Sequence, residues 1–449
     1  MALIELDLYA PAEPERTPGH EPLGRRRYVR VAALLVLLLA LVAAEPSRSV
    51  LWRRIGLAPI TAPDGAYQLV GGRLYTFDWL ADRVVTTAWE LEPLRRLWSH
   101  TAATPSDNDG MTPSFGWAVQ AATGEDIVLQ SSAGSTVMDS RTGTVRWTSS
   151  GPLMPVAGGR VGLTYDQEFR PGTEYDQAVG ASGPLYASTS GVFYTAPPAR
   201  TTLHALDMRT GRQLWRAVFP GAVIATDGDT GPGVVLVVAA DRLSVLAAGT
   251  GAVLRERRLP GPPPTDVTFG DARDRLVLLR HSARQGGTVT AYSMDTLEPL
   301  WRRSEPNGSN PSFCAGMLCD DAGTGVIVLE PSTGLPRWRT GTGALFGRDG
   351  AIVEVDNREN RPLTVRDPAT GAVRADLDGW TWIAYGGDDT PLVLGRLDGP
   401  VTLFGVLPTG RHAIQPLGFS PTPVANCESD TRYVACRLLG GVELWAYLS

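Results

Sequence analysis

Lysine is absent: all 41 basic residues are arginine. That removes Schiff-base catalysis and the phosphate-reading lysine of a P-loop. Histidine is scarce. His20, His100, His204, His281 and His412 lie far apart, and none stands in an HExxH spacing, which argues against a zinc hydrolase. There are four cysteines and no CxxC pair, which argues against a thiol oxidoreductase. No GxSxG elbow occurs, and no Ser/His/Asp set stands out for nucleophilic catalysis. The formal net charge is −6, whereas phosphate binding needs a concentrated basic face, so nucleic acid is not an expected partner.

What is present is length and apolar surface: 449 residues, 43% hydrophobic. Residues 1–27 are Pro- and Glu-rich with three arginines at their end, and read as a disordered cytoplasmic tail. Arg25, Arg26, Arg27 and Arg30 precede an unbroken apolar run from Val31 to Ala44. Residues 28–45 are therefore expected to form a transmembrane signal-anchor helix, near the short end of what spans a bilayer. The arginines before the run predict a cytoplasmic N-terminus and an extracytoplasmic domain at 46–449. A cleavable signal peptide ending at Val42-Ala43-Ala44 is the rival reading, and it exports the same residues.

Self-similarity dominates the rest. Three segments align without gaps: Val137 to Trp147, Ala205 to Trp215 (ALDMRTGRQLW) and Val328 to Trp338 (VLEPSTGLPRW). Each is an apolar strand end, a turn with Thr-Gly, three residues, then Trp. Weaker copies end at Trp98 and Trp301, or carry Thr-Gly at Gly251, Gly371 and Gly410. The alternating run is a half-buried strand, Gly supplies the positive φ of the turn, and Trp buries a large ring while its N–H keeps a partner. The turn marker falls at 94, 143, 211, 251, 297, 334, 371 and 410, spacings of about 37–49 residues with one interval of 68. A period near 40 with several short strands per unit means propeller blades. The expectation is an all-β fold, a β-propeller of about eight four-stranded blades (seven or nine also fit), preceded by one transmembrane helix. The hairpin at Thr409-Gly410 is not expected to close a full blade, and the long interval holds an insertion at about 164–200, read as a long loop on one face.

At Gly143 and Trp147, Gly211 and Trp215, and Gly334 and Trp338 the chain resembles the PQQ-like (quinoprotein-type) propeller repeat family, over roughly residues 48–449. In organisation it resembles the membrane-anchored PQQ-like repeat proteins of high-GC Gram-positive bacteria, for which no defined activity is implied. Quinoprotein dehydrogenases of the family carry an adjacent Cys-Cys pair, a Trp platform and an acidic calcium site. No two cysteines are adjacent here, and Trp380 and Trp382 at alternating positions read as one strand face, so neither PQQ nor another cofactor is expected.

The even cysteine count in an exported domain reads as two local disulfides, Cys314–Cys319 and Cys427–Cys436, each stapling adjacent strands. Asp107-Asn108-Asp109-Gly110 and Asp227-Gly228-Asp229 space oxygens as calcium loops do, but lack the bidentate Glu and read as Asx turns; Asp388-Asp389 reads as a solvated turn, and no metal is expected. His204 reads as a packing or edge residue and His412 as exposed. At the C-terminus, strands at Thr431–Arg437 and Val442–Tyr447 lack a Trp-ending partner, and 49–54 (SVLWRR) resembles it. The expectation is that 49–54 closes the ring, with Trp52 packed as a repeat tryptophan. The function expected is a non-catalytic binding or scaffold module for a protein, peptide or glycan partner. A quinoprotein dehydrogenase-like enzyme and a cell-envelope assembly factor are the alternatives.

Overall fold

Each turn of the repeat joins the two outer strands of a four-stranded antiparallel sheet. The computed structural model describes residues 52–447, apart from 63–64, 81, 104–117, 122–124, 132–133, 177, 179–184, 189–191, 228–232, 260–266, 274, 284–285, 306–310, 322–324, 342, 349, 357, 388 and 409. The predicted tail and anchor lie outside these residues. Among the described residues there is no helix, and so none long and apolar enough to cross a membrane.

Nine four-stranded sheets form the blades of a propeller. Blades 1 to 8 occupy 66–103, 118–149, 154–220, 223–258, 267–305, 312–339, 344–376 and 382–420, each with strands a to d in chain order from the inside outward. Blade 9 takes strands a to c from Ala425–Ser429, Tyr433–Leu438 and Gly441–Ala446, and its strand d from Arg53–Pro59 at the other end of the chain. The expected eight blades are therefore nine. The turn marker undercounts because the c–d turn of blade 9 is the break between the chain ends. The Gly410 hairpin, expected to fall short of a blade, joins strands c and d of a complete blade 8.

The core is correspondingly divided. Nine clusters of buried residues each lie between two successive blades, for example Leu163, Leu203, Ala205 and Trp215 of blade 3 against Val235, Val237 and Leu246 of blade 4. A single blade has two apolar faces and is stable only when both are covered, which closing the ring achieves.

Both disulfides are formed between strands a and b. Cys427 and Cys436 stand directly opposite in blade 9, and Cys314 and Cys319 lie diagonally in blade 6.

The closing strand starts later than 49–54. Arg54 pairs with Trp445, Gly56 with Leu444, and a bulge lies between Arg54 and Gly56. In the five blades that carry a repeat Trp, it stands in the register of Gly56, just after the bulge, so Trp52 is not the repeat tryptophan of its strand. It lies before the strand and packs between blades 8 and 9, with ring centroids 4.7 Å from Phe404 and 5.3 Å from Trp445. Arg54 pairs with Glu443, whose side chain is 2% exposed. Arg53 and Arg432 of blade 9 both reach Glu92 of blade 1, at 2.5 and 3.4 Å.

On the inner side of the same seam, Glu428 of blade 9 accepts a hydrogen bond from the Leu69 amide of blade 1 at 2.7 Å. Tyr67 Oη beside it donates to the Ala435 carbonyl at 2.9 Å. Burial pushes the Glu428 carboxyl up to about 7, the Leu69 amide offsetting part of that. A carboxyl raised from 4.5 in the unfolded chain stabilises the fold fully below that value, and the contribution is lost as pH rises through 7. Glu428→Gln keeps the acceptor and removes the titration. It is expected to be neutral near pH 4.5 and to stabilise by about 2–3 kcal/mol at pH 8.5. Urea midpoints of both proteins at the two pH values check this. A difference independent of pH would remove Glu428 as the cause.

Candidate functional site

The site begins with the repeat tryptophans, because their register defines what each blade junction holds. Trp98, Trp147, Trp215, Trp301 and Trp338 stand on strand d opposite Ala88, Val137, Ala205, Ala291 and Val328 of strand c. Each indole lies over the c–d turn of the next blade. Nε1 donates to the carbonyl three residues before the αL position: Ser140, Met208, Ala248, Pro331 and Pro368, at 2.6–2.8 Å. The αL residues themselves are Gly143, Gly211, Gly251, Gly334 and Gly371, with φ of 67–72°. A Cβ there would lie 2.6–2.8 Å from the indole, so glycine is required by space as well as by φ. The tryptophan and glycine of the sequence motif therefore pair across blades rather than within one.

Four junctions depart from this pattern. Between blades 4 and 5, Arg255 replaces the Trp and Leu297, at φ 56°, replaces the Gly. Leu297 is buried and fills space from the turn side. A notch of about 180 Å³ remains, lined by Arg255, Met294 and the Arg275–Asp295 ion pair. Between blades 9 and 1, Gly56 faces Leu94 in the same inverted way. Between blades 8 and 9 the roles are exchanged: Gly418 takes the Trp register and Trp52, arriving from the chain's other end, covers it and donates to the Phe419 carbonyl. Between blades 7 and 8, Ala375 takes the Trp register, and Trp380 and Ile414 pack into the junction against Gly405 of blade 8.

Strand alternation sorts the connections onto two faces. The a–b and c–d turns lie on one, and the chain enters the ring there at Arg53. The b–c turns and the connections between blades lie on the other. The insertion joins strands b and c of blade 3, so it projects from this second face. Its bounds are 169–199, because the predicted 164–168 and Arg200 belong to those strands, Val161–Glu168 and Arg200–Asp207. It is not a bare loop. Tyr186–Ala187 and Phe193–Tyr194 pair, and Phe169 stacks on Tyr194 at 3.8 Å.

At the foot of the insertion a cleft of about 220 Å³ opens between blades 2 and 3, lined by Ser149, Ser150, Thr164, Asp166 and His204. His204 Nδ1 lies 2.9 Å from Gln213 Oε1, and Nε2 lies 2.9 Å from Asp166 Oδ2. His204 thus sits between an amide and an exposed carboxylate rather than in a packing role. No sequence motif marks this, since Asp166 and His204 are brought together only by the pairing of Thr164 with His204 across the base of the insertion.

The other candidates are structural or lie outside the described residues. Trp380 packs on Gly405 and Trp382 on Gly395. Asp107–Gly110, Gly228-Asp229 and Asp388 are outside the described residues. His412 is exposed, at the blade 7–8 junction. Among the described residues no three His, Cys, Asp or Glu side chains gather as metal ligands. The two disulfides are in different blades, and neither forms an adjacent-cysteine ring.

The family model described as "Outer membrane protein assembly factor BamB" matches residues 136–258 and 199–373. No curated protein matches the chain. Among solved structures, BamB from Moraxella catarrhalis is 14% identical, with 87% of this chain and 100% of that chain covered at a TM-score of 0.39. A eukaryotic initiation factor is 10% identical, with 80% and 90% covered at 0.48. Hsv2p of Kluyveromyces lactis is 11% identical, with 82% and 100% covered at 0.36. A match over more than half of the sequence, falling on blades whose Thr-Gly turns and tryptophans repeat in register, makes this chain a member of the PQQ-like β-propeller family.

Proposed function

We propose that the protein is a non-catalytic protein-interaction module, tethered to the outer side of a cell membrane, that offers the insertion-bearing face of its ring to a partner. The observation that carries this is the unequal dress of the two faces. The insertion 169–199 and the longest blade-to-blade connections, 104–117 and 259–266, leave from one face, while the chain enters at Arg53 on the other. Rigid rings that present loops commonly serve recognition. The family name, an outer membrane protein assembly factor, is in keeping with a protein partner. The arginines before Val31 and the absence of an adjacent cysteine pair support the remaining terms, an N-in anchor and no quinone.

Crosslinking in intact membranes tests the reading. The intact protein is expected to capture one partner reproducibly, and a variant with 170–198 replaced by a two-residue turn is expected to lose it while keeping its melting temperature. Equal capture by both would place recognition elsewhere. Protease added to spheroplasts is expected to digest residues after 46 and spare the N-terminal tail; a protected propeller would overturn the topology.

A further inference from the structure

Aligned by pairing register, one position of strand c sets blade 3 apart. The residue before the partner of the tryptophan register is Thr87, Thr136, Ser244, Thr290 and Thr364 in blades 1, 2, 4, 5 and 7. Thr87, Ser244 and Thr364 spend their hydroxyls within their own blades, on Ser99, Glu256 and Glu354 at 2.8–3.3 Å. In blade 3 the position is His204, the only ring at that place among the nine blades.

Beside His204, blade 2 stops short. Its strands c and d are Gly134–Asp139 and Val145–Ser149, whereas strands b and c of blade 3 run over Val161–Glu168 and Arg200–Asp207. Strand alternation turns Leu163 and Ala205 toward blade 4 and Thr164, Asp166, His204 and Leu206 toward blade 2. These four residues make the floor of the cleft of about 220 Å³, and Ser149 and Ser150, where the outer strand of blade 2 ends, make its wall. His204 serves the floor indirectly. Its Nδ1 lies 2.9 Å from Gln213 Oε1, and its Nε2, closed to solvent, lies 2.9 Å from Asp166 Oδ2. The imidazole thereby holds in place a carboxylate whose side chain is 79% exposed. The Ser150 and Thr164 hydroxyls are engaged by no other side chain among the described residues. The exposed Arg216 is the cross-strand neighbour of His204.

We propose that this cleft binds a terminal sugar residue of a glycan, with Asp166 as the contact residue and His204 as its positioning residue. The lining combines an acceptor, Asp166, with hydroxyls that both donate and accept, and sugar hydroxyls do the same. A carboxylate that accepts from a sugar hydroxyl makes a charge-assisted bond, stronger than a neutral one. Leu206 supplies a small apolar patch for a C–H face of the ring. Charge is mixed at this place: an anion would meet Asp166, and a cation would meet Arg216, so a neutral polyol suits it better than either. The volume takes one six-membered ring with its hydroxyls, which is why the bound residue is terminal. The inference rests on the cleft alone, so it and the capture of a protein partner by the insertion can fail separately.

The test is saturation-transfer NMR on the full chain, kept in a detergent without a sugar headgroup. The probes are D-glucose, D-galactose, D-mannose and N-acetyl-D-glucosamine, with Nα-acetyl-lysine amide as a cationic control. At least one sugar is expected to bind saturably with a Kd of about 1–10 mM, the range that a dozen non-hydrogen atoms reach at ordinary ligand efficiency. Asp166→Ala, at an exposed position, is expected to weaken that sugar about tenfold. His204→Thr, which restores the residue of the sister blades, is expected to weaken it about fivefold in the wild-type background and not at all in the Asp166→Ala background, because the ring acts through the carboxylate. Neither substitution is expected to move the melting temperature by more than about 2 °C. No saturable binding of any of the four sugars would overturn the proposal. So would binding of the lysine amide alone, or a sugar Kd unchanged in Asp166→Ala. Equal weakening by His204→Thr in both backgrounds would remove His204 as the positioning residue.

Discussion

A chain beginning at Gly56 is expected to melt roughly 6–10 °C below one beginning at Pro46. The shift corresponds to a loss of about 5–8 kcal/mol in a domain of some 400 residues with an unfolding entropy near 2.1 cal/mol/K per residue. Three contributions add. Trp52 leaves its slot against Phe404, Trp445 and Gly418, and removing a packed tryptophan ring costs about 3–5 kcal/mol. Arg54 leaves Glu443, whose carboxylate then stays buried with the Ser420 hydroxyl as its remaining neighbour at 3.3 Å. Strand c of blade 9 becomes an open edge over the residues that faced Arg53 and Arg54. Calorimetry on the two chains decides it, and equal melting temperatures would show that Trp52 and the first residues of the closing strand, Arg53 to Ile55, contribute nothing to holding the ring closed. Trp52→Ala in the longer chain separates the ring's share from the strand's.

The same seam shows what the sequence could and could not disclose. The blade pattern was legible because each turn needs a positive φ and each outer strand needs a large ring, so Gly and Trp recur at fixed spacing. Both cysteine pairs were legible because a short hairpin brings them together locally. The ninth blade was half hidden: its strands from 433 to 446 have an ordinary pattern, but the turn that would mark them is replaced by the two chain ends. Trp52 was recognisable as a closing tryptophan yet misplaced by one structural step. Its strand could be matched to Pro299-Leu300-Trp301-Arg302-Arg303 letter by letter, and only the pairing of Gly56 with Leu444 shows that the bulge shifts it. The His204–Asp166 cleft left no mark of its own, because it depends on a register across a 31-residue insertion, and neither did the reach of each repeat tryptophan into the next blade.

That reach across blades leads to the remaining large effect. Trp215→Ala is expected to destabilise the propeller by about 3–5 kcal/mol, or roughly 4–6 °C, because the ring is buried between blades 3 and 4 within their shared cluster. Part of the loss is the hydrogen bond from Nε1 to the Ala248 carbonyl at 2.6 Å, and Trp215→Phe isolates that part at about 1–3 kcal/mol, since the buried carbonyl is left without its donor. Gly251→Ala damages the same junction from the other side. Its Cβ would sit 2.7 Å from the indole Cδ2, and φ of 70° disfavours any L side chain. The clash exists only while the indole is present, whereas the backbone strain remains without it. Gly251→Ala is therefore expected to cost less in the Trp215→Ala background than alone, with a coupling of about 1–2 kcal/mol in the double-mutant cycle. Strict additivity would mean that the glycine is required by φ alone. The junction between blades 4 and 5 is the built-in comparison: with Arg255 in the tryptophan's register, the turn carries Leu297 at φ 56°, so once no indole lies above it the αL position accepts a side chain.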